Sequence, residues 1–149
     1  TEMMRRRAII HLAEDLDADC LAFTRAIEGS SFARKLAIRR FRNGTEVLES
    51  FEEDDRPDLL FLDLNLGDYN GLEVLEKLRE ASDFALVPTI LYTSSEDPKD
   101  IRRCYELGAN GYLVKPLGID NLRRLLENCF KYWLESVRIP SSQDFQTWL

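Results

Sequence analysis

The chain is short of the side chains that most often do chemistry at neutral pH. Its 149 residues include one histidine, His11, and three cysteines, Cys20, Cys104 and Cys129. An odd number of widely spaced thiols is neither a disulfide framework nor a zinc motif, so they read as buried or half-buried thiols in a reducing cytosol. His11 sits mid-strand in apolar company, as a core histidine does and a phosphocarrier does not. Positive charge is also scarce: 20 Lys and Arg against 27 Asp and Glu leave a formal net charge of −7. A nucleic-acid surface needs a basic footprint, and the one basic run, Arg5-Arg6-Arg7, reads as a solvated arm. No apolar stretch nears the ~20 residues of a membrane helix. Ala8–Ala13 is too short for a signal core and runs straight into Glu14-Asp15. These absences point to a cytoplasmic protein that touches neither nucleic acid nor membrane.

What is present is an alternation. With 44 % apolar and 32 % charged residues the composition is that of one globular domain. Short apolar runs predict strands near 8–13, 36–41, 58–62, 88–92 and 111–114, and helical patterns fall near 16–28, 45–52, 71–80, 98–107 and 119–135. The expected fold is α/β: a doubly wound five-stranded parallel sheet flanked by five helices, flavodoxin-like in outline. Asn43-Gly44 marks a turn before the second helix, Asp97-Pro98 an N-cap with proline at the first helical position, and Gly108 a helix stop. The domain is expected over 8–138, with an arm at 1–7 and a tail at 139–149 that carries Phe145, Trp148 and Leu149. No internal repeat or second domain is visible.

Packing explains apolar strands but not their polar ends. The first strand runs into Glu14-Asp15, the third into Asp63, the fourth into Thr93-Ser94 and the fifth into Lys115-Pro116. In a parallel sheet these ends share the edge where ligands bind. If the first and third strands are neighbours, three carboxylates converge and repel unless a cation joins them, and their hard oxygens suit Mg²⁺. A lysine and a hydroxyl beside them complete a site for a phosphoryl group. Carboxylates can attack phosphorus. Asp63 is the best candidate: it ends the most apolar strand, and Asn65, Gly67 and Gly71 leave room for a donor.

These residues resemble the receiver domains of bacterial response regulators over roughly 8 to 137. Glu14-Asp15 matches the acidic pair, Asp63-Leu64-Asn65-Leu66 with Gly71 the phosphoacceptor loop, Thr93-Ser94 the hydroxyl and its small neighbour, and Gly111-Tyr112-Leu113-Val114-Lys115-Pro116 the fifth-strand signature. The resemblance implies that Asp63 receives phosphate from a phosphohistidine of a sensor histidine kinase. It implies Mg²⁺ on Asp15, Asp63 and the backbone carbonyl of Asn65, with Glu14 acting through water. Lys115 and Thr93 would contact the phosphoryl oxygens, and Tyr112 would report the change to the output face. The Lys115–Pro116 bond would be cis. Gly67 stands where the family usually has proline, which predicts a looser loop, and Glu14 replaces the commoner aspartate.

The tail adds a narrower likeness. Asp63-Leu64-Asn65-Leu66 together with Tyr132-Trp133-Leu134-Glu135-Ser136-Val137-Arg138-Ile139-Pro140 resembles the small regulators paired with bacterial phytochromes, which implies a light-sensing kinase as partner. The apolar stripe Leu122, Leu125, Leu126, Cys129, Phe130, Trp133 and Leu134, continued by Val137 and the tail aromatics, is longer than one sheet should need. It predicts a homodimer through the last helix and tail. With no effector domain, the output would be contact with an unidentified downstream protein. The main alternative is a haloacid-dehalogenase-type phosphohydrolase. That class has a second aspartate as general acid, where this chain has Asn65. A flavodoxin-like cofactor module fares worse, because Glu14-Asp15 would repel a phosphate.

Overall fold

The computed structural model of the chain describes residues 7–53 and 55–140. In chain order the elements are β1 (Ala8–Ala13), α1 (Asp17–Glu28), β2 (Leu36–Phe41), α2 (Gly44–Ser50), β3 (Leu59–Leu62), α3 (Gly71–Glu80), a 3₁₀ turn (Asp83–Leu86), β4 (Thr89–Thr93), α4 (Pro98–Glu106), β5 (Gly111–Val114) and α5 (Ile119–Phe130), which opens into a π turn (Lys131–Ser136). The strands form one parallel sheet in the order β2-β1-β3-β4-β5. β1, β3 and β4 are covered on both faces, so their sequences are almost unbroken apolar runs; of the two edges, β2 is mixed and β5 is half-buried throughout.

Alternate residues of each strand feed two cores. Ile10, Leu12, Phe61 and Ile90 pack against Phe23 of α1 and against Leu122, Leu126 and Phe130 of α5. Ala13, Leu60, Leu62 and Leu91 pack against Val47 of α2, Val74 and Leu78 of α3, and Cys104 of α4. Cap residues aim the helices. Asn43 accepts from Glu46 N at 2.9 Å, Asn70 and Glu73 close a reciprocal capping box, and Asp97 accepts from Lys99 N at 2.9 Å. Gly108 takes φ +95° and ends α4, where a Cβ would be strained.

The last helix spends its apolar stripe at home. Phe130 and Leu134 are buried in the chain's own core, and Trp133 and Ile139 pack partly against it. The π turn that makes this reach possible closes with Val137 N donating to Tyr132 O at 3.0 Å. The stripe expected to project past the sheet is therefore largely covered through Leu134, while Tyr132 is 54 % exposed. Phe145, Trp148 and Leu149, on which the expected dimer also leaned, lie outside the described residues.

Candidate functional site

The sheet order makes β1 and β3 neighbours, and this alone brings Glu14-Asp15 to Asp63. Asp63 N donates to Ala13 O at 3.1 Å, extending the ladder one residue past β3 and fixing the carboxylate at the edge. Gly71 is required here: a Cβ on it would fall inside the Asp63 carbonyl oxygen. The start of α3 can thus lie directly against the Asp63 backbone.

Lys115 leaves β5 with its own N–H on Thr93 O at 2.7 Å. Its Nζ lies 2.6 Å from Glu14 Oε1, 2.7 Å from Asp19 Oδ2 and 2.8 Å from Asp63 Oδ2. It also sits 5.3 Å from the centre of the Tyr92 ring. The lysine reaches this position from a trans Lys115–Pro116 bond, since none of the described peptides is cis; this corrects the cis bond implied by the resemblance. Trans is the intrinsically favoured isomer, and three carboxylates suffice to aim the ammonium.

Ligand oxygens of Glu14, Asp15 and Asp63 all lie within 4.8 Å of one another. Glu14 is fully buried, with its Oε1 in ion-pair contact with Lys115. Three hard oxygen donors at this spacing, with one ammonium shared among them and Asp19, fit a divalent cation. Burial pushes the Glu14 carboxyl up to about 7, despite the pull of Lys115 in the other direction. Burial alone would lower the Lys115 ammonium; Asp19, Asp63 and Glu14 together hold it well above its ordinary value. Asn65 lies in the loop next to Asp63, its N–H 3.4 Å from Asp63 Oδ1.

On the neighbouring strand, Thr93 is buried at the end of β4 and Ser94 is exposed beyond it. Thr93 Oγ1 accepts from Ser95 N at 3.4 Å, and Tyr112 OH donates to Ser95 O at 2.9 Å. Ser95 Oγ in turn donates to Asp100 Oδ2 of α4 at 2.6 Å. The hydroxyl, the aromatic of β5 and the fourth helix thus meet at Ser95. Burial raises the Tyr112 phenol above its ordinary value.

Four positions carry more than their sequence suggested. Arg40, which reads as part of a solvated strand end with Arg39 and Arg42, folds over the β1–α1 loop. Its Nε donates to Glu14 O at 3.0 Å and its NH1 to Asp17 at 2.6 Å. Ser95 is the junction just described. Asp19 is a third carboxylate on Lys115. Asp68 fastens the loop after Asp63: it accepts from Gly44 N at 2.7 Å and Thr45 Oγ1 at 2.5 Å, at the start of α2. Tyr69 packs where a Cβ on Gly44 would come within 2.5 Å of it. The loop expected to be loose at Gly67 is therefore held from a second element.

Residues 10–127 match the response regulator receiver domain. The chain belongs to this family, as its sheet order and the convergence of Glu14, Asp15, Asp63, Thr93 and Lys115 on one edge also indicate. Among curated relatives it is 30% identical over 140 residues to the response regulator Rcp1 of Synechocystis sp., covering 90% of this chain and 94% of that one. Among solved structures it is similar to the phosphorylated cyanobacterial phytochrome response regulator RcpA, with TM-score 0.81 and 27% identity over 91% of this chain and 99% of that one. It is also similar to the Mn²⁺-bound form of Rcp1, with TM-score 0.77 and 29% identity over 90% and 99% of the two chains. None of these matches supports the haloacid-dehalogenase alternative.

Proposed function

We propose that this chain is a response regulator receiver that takes a phosphoryl group onto Asp63 from a phosphohistidine of a sensor histidine kinase. One observation carries the assignment: Asp63, rigid at the end of a buried strand, shares the oxygens of a metal-sized carboxylate cluster and lies 2.8 Å from Lys115 Nζ. An Asp63 carboxylate oxygen attacks phosphorus, the P–N bond to the donor imidazole breaks, and an acyl phosphate forms. Asp15, Asp63 and the Asn65 carbonyl would hold Mg²⁺ directly, with Glu14 acting through water; the ion, when bound, supplies positive charge to the phosphoryl oxygens. Lys115 pairs with one phosphoryl oxygen and Thr93 donates to another. A shift of Thr93 toward the phosphoryl group would reach Tyr112 and α4 through Ser95, which contacts all three.

The likeness to Rcp1 and to the phytochrome regulator RcpA supports a phytochrome as the donor kinase. We place the protein in the cytoplasm, as a signalling domain whose only catalysis is its own phosphorylation and dephosphorylation. No described helix is long and apolar enough to cross a membrane. A homodimer through α5 and the tail, read by a downstream protein, is supported by the exposed Tyr132, whose ring stacks edge-on with Trp133 at 5.2 Å. Light scattering of the full chain against a truncation after Leu134 tests that contact; equal masses refute it.

The decisive test of the site is incubation with acetyl phosphate and Mg²⁺, followed by mass spectrometry of the hydroxylamine-sensitive adduct. The wild type should carry one phosphoryl group on Asp63, and Asp63→Asn none. Undiminished labelling of Asp63→Asn would refute the assignment.

A further inference from the structure

Asp19 is the third residue of α1, where an acidic side chain ordinarily serves the helix itself, through a capping box or the favourable charge of the first turn. Here the N-cap is Leu16, which offers no side-chain acceptor, so no reciprocal box is available. Asp19 instead turns its Oδ2 outward to Lys115 Nζ at 2.7 Å. It is not one of the three carboxylates close enough together to share a metal ion. Its side chain is 33 % exposed, against 10 % for Lys115 and 0 % for Glu14. Of the three acids that hold the lysine, Asp19 alone is outside the metal cluster and open to water.

Lys115 can serve a phosphoryl group only if its ammonium turns part of its hydrogen bonding to the incoming oxygens. An ammonium has three N–H donors, and in this structure three carboxylates surround it. Glu14 and Asp63 would be engaged by the cation of the site, which leaves Asp19 as the group in direct competition with the phosphoryl oxygens. Its negative charge also opposes an arriving anion while favouring a cation.

We infer that Asp19 is a positioning residue for phosphoryl transfer: it holds Lys115 in the unphosphorylated protein and must yield it to the phosphoryl group, thereby setting how readily a phosphoryl-like anion enters. The inference rests on the receiver reading above. It separates two ligands that a general loosening of the site would affect alike. Removing the Asp19 charge should strengthen binding of a phosphoryl mimic and should not strengthen binding of Mg²⁺.

The test uses beryllium trifluoride, followed by ¹⁹F NMR at saturating Mg²⁺, with Mg²⁺ affinity measured separately by calorimetry. Asp19→Asn, which keeps shape and an acceptor oxygen, should bind beryllium trifluoride roughly three- to tenfold more tightly than wild type, as loss of one nearby like charge predicts. Acetyl phosphate should label it faster by a similar factor, and Mg²⁺ should bind no more tightly than before. Asp19→Ala should shift both ligands in the same directions. Asp120→Asn removes an equal charge from α5, at the same edge of the sheet, where Asp120 pairs with Arg123 and not Lys115; it should leave the mimic's affinity at the wild-type value. Unchanged or weaker mimic binding in Asp19→Asn overturns the inference, as does an equal gain in Asp120→Asn. If the wild type neither binds the mimic nor labels on Asp63, the receiver reading falls and this inference with it; if the wild type does both, only the role of Asp19 is at stake.

Discussion

Two partly buried cations sit at opposite edges of the same sheet, and they are kept in opposite company. At the carboxyl edge Lys115 is packed among three carboxylates, with a fourth, Asp15, alongside. At the amino edge Arg79, near the end of α3, donates to neutral oxygens: Ala85 O at 3.1 Å, Val87 O at 3.2 Å, Asn110 Oδ1 at 3.1 Å and Gly108 O. That second cluster ties α3, the 3₁₀ turn, β4 and the α4–β5 loop together. Its donors and acceptors match, so a ligand has nothing to displace. The carboxyl edge carries surplus negative charge, and a cation relieves it. One edge is built to stay closed and the other to exchange.

Substitutions can break or sharpen this contrast. Lys115→Ala should have the largest effect, a loss of about 3 kcal/mol in metal-free urea unfolding, because it strands buried carboxylates. Millimolar Mg²⁺ should recover most of that loss, since the ion binds the folded cluster. Arg79→Ala should cost about 1 kcal/mol, from the part-buried carbonyls of Ala85 and Val87 deprived of their donor, and Mg²⁺ should recover no more than it adds to the wild type. If Mg²⁺ rescues both variants equally, the two edges are not different in kind. Asp15→Asn should weaken Mg²⁺ binding about tenfold or more by calorimetry, while leaving metal-free stability within about 0.5 kcal/mol.

The smallest effect concerns a group that belongs to neither edge. His11 is buried mid-sheet, its ring 4.9 Å from Phe41, and burial, aided by Arg39, lowers its pKa to about 4. The unfolded chain binds this proton from pH 6.5 downward and the folded chain only near 4. Stability contributed by the neutral imidazole is therefore full above 6.5 and is lost as pH falls toward 4. Between pH 7.5 and 5.5 the loss should be about 1 kcal/mol, and the difference between wild type and His11→Phe isolates it. An identical pH dependence in both proteins would remove His11 from the account.

Much of this was legible in the residues alone. The strands were, because β1, β3 and β4 are almost wholly apolar, and the helices were, because the turn at Asn43-Gly44, the cap at Asp97-Pro98 and the stop at Gly108 punctuate them; the cap at Asn70 appears only in the structure. Glu14, Asp15, Asp63, Thr93 and Lys115 stood out for the same reason: each interrupts the pattern where a strand stops. What was hidden depended on spatial neighbours. Arg40 becomes a clamp on the acidic loop only because β2 lies beside β1. Asp19 reads as an ordinary first-turn acid, and Arg79 as a cation suited to a helix C-terminus. The 3₁₀ turn at Asp83–Leu86 is too short to show a period. The reach of the last helix was hidden too, because only the structure shows that the row Leu122, Leu126, Phe130 and Leu134 stays within the chain's own core.

The fastening of the loop after Asp63 constrains what can stand at position 67. Gly67 adopts φ +81°, a value that a proline ring, fixed near −65°, cannot take. A proline there would require the loop to change its path, and a changed path would carry Asp68 away from Gly44 and Thr45. Positions 67 and 68 are thus coupled: the stiffness of this loop is borrowed from a neighbouring helix and not built into its own backbone.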